Sequence, residues 1–179
     1  MQKYSFDFNS FKLEMEEMAR AAFKYYVEKH DDIYAFSLYS DEGAMTVCPG
    51  GNTVSFLDEN GADDYEYYKF SPEEWLYQGD GADELVGKLC NKLRDVLDEY
   101  EDDDSWFEWF QENLYQSCFG VLLKLKNGDF FRKTAGRDSF LIFAVTEFEM
   151  APEKLKSMAQ ALNDNSYAPE YLDWVESWS

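Results

Sequence analysis

Apolar residues along the chain recur with two periods, and the alternation between them sets out the elements. Phe8, Phe11, Met15, Met18, Ala22 and Tyr26 repeat at spacings of three and four, which predicts an amphipathic helix over residues 8–29, capped by Asn9 or Ser10. Asp31-Asp32 breaks that pattern, and residues 33–39 follow as a strand with apolar side chains on both faces, the mark of a covered, central strand. Asp41-Glu42-Gly43 reads as a turn, residues 44–48 as the antiparallel partner strand, and residues 49–53 (Pro-Gly-Gly-Asn-Thr) as a loop. Asn52 or Thr53 is placed to cap a short helix over residues 54–59. After an acidic loop, residues 65–70 have strand propensity, and Ser71-Pro72-Glu73-Glu74 signals the start of a short helix carrying Trp75 and Leu76.

The clearest helical repeat runs over residues 81–100, where Leu85, Leu89, Leu93, Val96, Leu97 and Tyr100 share a face. Ser105 and Glu108 form a second capping box, and Phe107, Phe110, Leu114, Cys118, Val121, Leu122 and Leu125 carry a helix on to about residue 126. A hairpin within residues 119–131, turning at Asn127-Gly128, is the rival reading, since Gly120 costs a helix about 1 kcal/mol relative to alanine. The 3.6-residue pattern runs across Gly120, which favours the helix with Asn127-Gly128 as its C-terminal cap. Residues 129–138 read as a loop, residues 140–146 as a second covered strand, and residues 152–163 as a helix opened by Pro152. Pro169 precedes a short aromatic helix with Leu172, Trp174, Val175 and Trp178. The sum is a single α+β domain over 179 residues, a small, mostly antiparallel sheet covered by several helices, with no internal repeat and no linker.

Composition narrows the function. Hydrophobic residues at 45% and aromatics at 18% supply a core, so the bulk of the chain is not disordered. The net charge of −21 repels phosphate backbones, which argues against direct nucleic-acid binding. No apolar run approaches the roughly 18 residues of a membrane span, and the N-terminal residues 1–7 carry no apolar signal-peptide region. Three widely spaced cysteines do not make a disulfide framework. Cys90 and Cys118 fall in helices as buried thiols, whereas Cys48, at a strand end, is the one to test for reactivity. The single histidine, His30, reads as a helix C-terminal residue and has no companion for a typical zinc site.

Catalytic constellations are hard to find. There is no Gly-x-Ser-x-Gly, no phosphate-cradling glycine loop and no His-Glu-x-x-His. A calcium loop starting at Asp58 fails, because position six is Asp63 and position twelve Lys69. A carboxylate-pair hydrolase needs no histidine and remains an alternative. Charge clustering is more informative. Asp98, Glu99, Glu101, Asp102, Asp103 and Asp104 place six acids in seven residues at a helix junction, either a solvated linker or an electronegative docking knob. Beside it, Trp106 and Trp109 lie three apart and Trp106 and Phe110 four apart, so at least one of the two tryptophans is a candidate surface aromatic. The opposite sign gathers at Lys124, Lys126, Arg132, Lys133 and Arg137, where internal pairing and complementation of a helix dipole is preferred over an anion site.

Three stretches resemble a bacterial family known as domain of unknown function 4303. They are Ile33-Tyr34-Ala35-Phe36-Ser37-Leu38-Tyr39 after a long helix, Gly51-Asn52-Thr53 followed by Lys69-Phe70-Ser71-Pro72-Glu73-Glu74-Trp75, and the run from Leu122 through Asn127-Gly128-Asp129-Phe130-Phe131 to the strand at residues 140–146. The resemblance spans roughly residues 8–163. It implies a bacterial cytoplasmic protein with no established reaction, so no catalytic residue is carried over. Some relatives resemble immunity or toxin-associated proteins, which implies partner binding.

The expectation is therefore a non-enzymatic, acidic protein-binding domain, an immunity-type inhibitor of a basic toxin, without cofactor or metal. Glu101, Asp102, Asp103, Asp104, Trp106 and Trp109 are its candidate partner-binding residues. A carboxylate-based or metal-dependent hydrolase and a structural homo-oligomer through the tryptophan-rich C-terminus are the alternatives.

Overall fold

The computed structural model describes residues 4–178. Residues 1–3, part of the stretch read as lacking a signal peptide, lie outside them. The first helix, α1 (Phe8–Lys29), has the expected bounds, but its cap is Asp7, whose carboxylate accepts from the Ser10 amide at 3.0 Å. His30 ends α1 as expected, its backbone amide donating to the Tyr26 carbonyl at 2.9 Å.

Strand β1 (Ile33–Asp41) is followed by β2, which is Cys48–Thr53 and not residues 44–48. Asp41 holds residues 44–46 in a turn by accepting from the Met45 amide at 3.2 Å and from the Thr46 hydroxyl, and Ala44 adopts φ +53°. The Pro-Gly-Gly segment, read from sequence as a loop, pairs with β1, and glycine is needed there because the residues packed around it leave no room for a Cβ. A Cβ on Gly50 would stand 2.6 Å from the Ser37 hydroxyl, and one on Gly51 2.7 Å from the Tyr26 ring.

Thr53 caps α2 (Val54–Asn60) as expected. Residues 65–70 form α3 (Tyr65–Phe70) rather than a strand, since the Asp64 side chain accepts from the Tyr67 amide and Phe70 packs inward. Ser71-Pro72 starts only a 3-10 turn (Pro72–Glu74), without the side-chain cap, and Trp75 leaves it in extended conformation and buried. The short β3 (Tyr77–Gln78) pairs with β2.

Helices α4 (Asp83–Glu99) and α5 (Asp104–Asn127) match their patterns, and α5 excludes the rival hairpin. Asp103, not Ser105, caps α5, accepting from the Trp106 amide at 2.9 Å. Gly128 ends it, its amide reaching the Lys124 carbonyl. Within residues 129–138, Asp129 takes a left-handed turn at φ +59° and starts α6 (Phe130–Ala135), which buries Phe130 and Phe131. β4 (Phe140–Thr146), α7 (Pro152–Leu162) and α8 (Tyr167–Glu176) complete the chain. α8 begins before Pro169, which its first turn tolerates.

The sheet order is β3-β2-β1-β4. Two of its pairings are antiparallel and β1–β4 is parallel, so the sheet is mixed and the fold α+β. Phe23 of α1 and Phe131 of α6 meet Phe36 on one face of β1, at 5.4 and 5.3 Å between ring centroids. On the other face Phe70 of α3 and Tyr171 of α8 meet Phe140 of β4, at 4.9 and 5.2 Å. α7 lies along the outer strand, where Asn163 at its end accepts from the Leu141 amide at 2.8 Å and donates to the Leu141 carbonyl at 2.9 Å. That side chain satisfies backbone groups that an edge strand would otherwise present for non-native pairing.

Candidate functional site

The acidic junction between α4 and α5 divides into parts with different work. Glu101, Asp102 and Asp104 are exposed, while Asp103 is spent on the α5 cap. Trp106 is 1% exposed and is therefore core, not a surface anchor. Its ring is sandwiched between Tyr100 at 4.3 Å and Phe110 at 4.7 Å, both nearly parallel to it. Trp109 is half-buried against Tyr4 and Phe8. The junction thus brings exposed charge together beside one half-buried tryptophan, Trp109, while Trp106 belongs to the core.

The basic cluster is largely paired inside the protein. Lys124 reaches Glu16 at 2.6 Å, Lys126 reaches Asp164 at 3.5 Å, and Arg132 reaches Asp138 at 2.8 Å. Among the described residues, no three His, Cys, Asp or Glu side chains stand together as a metal-binding group. No helix among them is long and apolar enough to cross a membrane.

A different place combines charge, apolar surface and shape. An open groove of about 1120 Å³ lies between α3, the C-terminal end of β4 with the loop after it, and α8. Its floor and walls include Phe70, Tyr171, Trp174 and Trp178, and its rim carries Asp64, Glu66, Glu73, Glu147, Glu149, Glu170 and Asp173. Among the described residues, no lysine, arginine or histidine lines it. Glu170 pairs with Lys69, which leaves six of these acids without an ion pair among the described residues, and one of the six, Asp64, caps α3.

Local structure explains why these side chains face outward. Glu147 leaves β4 in the left-handed region at φ +60°, a conformation that a non-glycine residue adopts at a cost of about 1 kcal/mol. The turn it makes leaves Phe148 50% exposed between two acids. Trp174 packs on Phe70 at 5.7 Å, and Trp178, 42% exposed, meets Trp174 edge-on at 4.7 Å. Glu73 has its carboxyl held above the usual range, first by the water it loses and then by the neighbouring charge of Glu74.

The sequence reading missed this groove because three distant segments build it. A signal was present nonetheless. Glu66-Tyr67, Glu147-Phe148, Glu170-Tyr171 and Asp173-Trp174 are all acid–aromatic doublets, and all line it.

No curated protein and no solved structure matches the chain. A family model does, over residues 15–164, and that match covers the sheet, α4 to α6, most of α1 and all of α7. By that match the chain belongs to the family described as a domain of unknown function, DUF4303.

Proposed function

We propose that this domain is a non-enzymatic binding protein for a basic protein, and that the partner lays a segment bearing lysine or arginine into the groove between α3, the end of β4 and α8. The observation that carries the reading is the uniform sign of the groove: all seven of its ionisable acidic and basic side chains are carboxylates, set around an aromatic floor. Arginine and lysine suit such a surface, because their stems pack on aromatic faces while their heads meet carboxylates. Apolar centres inside charged rims are the usual anatomy of protein interfaces. The net charge of −21 adds a long-range field that steers a cationic partner and speeds encounter. Within this class, the reading favoured is an immunity-type inhibitor that occupies the basic surface of a toxin such as a nuclease, where nucleic acid would otherwise sit.

A second reading rests on the carboxylates gathered around a cleft large enough for a substrate. It makes the protein a carboxylate hydrolase. Binding of a basic ligand without turnover is what separates the first reading from it.

Trp174 and Trp178 line the groove and serve as reporters. Titration with a short peptide alternating arginine and leucine, followed by tryptophan fluorescence, is expected to saturate. The affinity falls about tenfold or more between about 50 and 300 mM NaCl, because rim charges are screened. Affinity that does not change with salt, or no saturable response, counts against the reading.

A further inference from the structure

Cys48 and Cys90 are 42 residues apart in the chain, one opening β2 and the other in the middle of α4. The packing of α4 brings them together. The Cys90 sulfur lies 3.8 Å from the carbonyl oxygen of Val47, the residue just before Cys48, and the two thiols interact through their side chains. Cys90 is 5% exposed and Cys48 half-buried, so solvent reaches the pair from the Cys48 side. The third cysteine, Cys118, is sealed within α5.

The Cys90 thiol donates to the Val47 carbonyl, and contact with Cys48 together with the Arg94 charge one turn further along α4 lowers its pKa against the opposing effect of burial. Cys48 is pushed up by its contact with Cys90 and by partial burial. Other groups facing the pair are Asp41, which opposes the thiolate, and Tyr39, which pairs with Cys48 across the β1–β2 register.

We propose that Cys48 and Cys90 form a redox-active dithiol that closes to a disulfide with a low-molecular-weight disulfide as oxidant, pinning α4 to the start of β2. A thiolate of the pair, reached from the Cys48 side, attacks one sulfur of the oxidant, forming a mixed disulfide and releasing one thiolate. The other cysteine, losing its proton, then attacks the protein sulfur of the mixed disulfide, forms the internal bond and releases the second thiolate. Two protein thiols are oxidised and one small disulfide is reduced to two thiols.

The cross-link falls on a long helix with few buried residues. Among the described residues of α4, only Leu89, Cys90 and Leu93 are buried. Its ion pairs from Lys88 and Lys92 to Glu14 are exposed on the lysine side, where such pairs hold little.

The test uses the full reduced chain incubated with oxidised glutathione at about pH 7.5, then unfolded and labelled with a maleimide. The expected protein is lighter by two hydrogens, accepts one label, at Cys118, and gives a linked 48–90 peptide. Its melting temperature rises by about 5 °C. Cys48→Ser and Cys90→Ser each abolish the mass loss and the rise, and either variant suffices if the other folds poorly. Three labels on the treated wild-type chain, or a glutathione adduct that persists on it, overturns the proposal.

Discussion

Phe140→Ala is expected to remove about 4 kcal/mol of stability, within the range found when a buried aromatic is cut to alanine. Phe140 is fully buried at the start of β4 and meets Phe70, Trp75, Tyr167 and Tyr171, at 4.9 to 6.4 Å between ring centroids. Those four rings come from α3, the segment after the 3-10 turn, and α8, so one side chain joins three segments on its face of the sheet. Truncation loses the transfer free energy of the ring and leaves a cavity that rigid aromatics fill poorly. Urea denaturation of the variant is the measurement. A loss below about 1 kcal/mol would mean that this face is not packed as described.

Gly51→Ala is expected to cost about 3 kcal/mol, at the upper end for overpacking. The added methyl would stand 2.7 and 2.8 Å from two carbons of the Tyr26 ring. Tyr26 cannot give way easily, because it stacks on Tyr77 at 4.2 Å and its hydroxyl donates to the Asp80 carbonyl at 2.7 Å. Gly87 is the control: a Cβ there meets nothing within 4 Å, on an exposed face of α4, so Gly87→Ala is expected to stabilise by about 1 kcal/mol through helix propensity. Equal effects at the two glycines in a thermal melt would contradict the pairing of residues 48–53 as a strand.

These glycines also show where the sequence could be read and where it could not. α1, α4, α5 and α7 were legible from long runs with the helical period, and β1 and β4 from nearly continuous apolar runs bounded by polar residues. β2 was not, because glycine has low strand propensity and is there for the residues packed around it, on the flanking strands and on α1, which only the assembled fold supplies. α3 was misread because four of its six residues are aromatic, whereas its helix follows from the Asp64 cap and the burial of Phe70. The parallel β1–β4 pairing joins segments about a hundred residues apart, and no local signal announces it. For the candidate site the difficulty was of the same kind. The densest acid run drew attention to residues 98–104, yet Asp103 works as a cap and Trp106 as core. The groove draws its charge from acids scattered between residues 64 and 173, and only the acid–aromatic doublets hint at it in sequence.

The central claim is that a basic segment binds in the groove rather than to acidity in general. A matched pair of charge reversals tests it most directly. Glu147→Lys with Glu149→Lys alters the groove rim, and Glu101→Lys with Asp102→Lys makes the same charge change at the helix junction, all four at exposed positions. Both variants are titrated with the arginine–leucine peptide at about 50 mM NaCl. The groove variant is expected to lose about tenfold or more in affinity and the junction variant less than about threefold, since local rim charges outweigh a distant field. Equal losses in the two variants, or the larger loss at the junction, would contradict the claim.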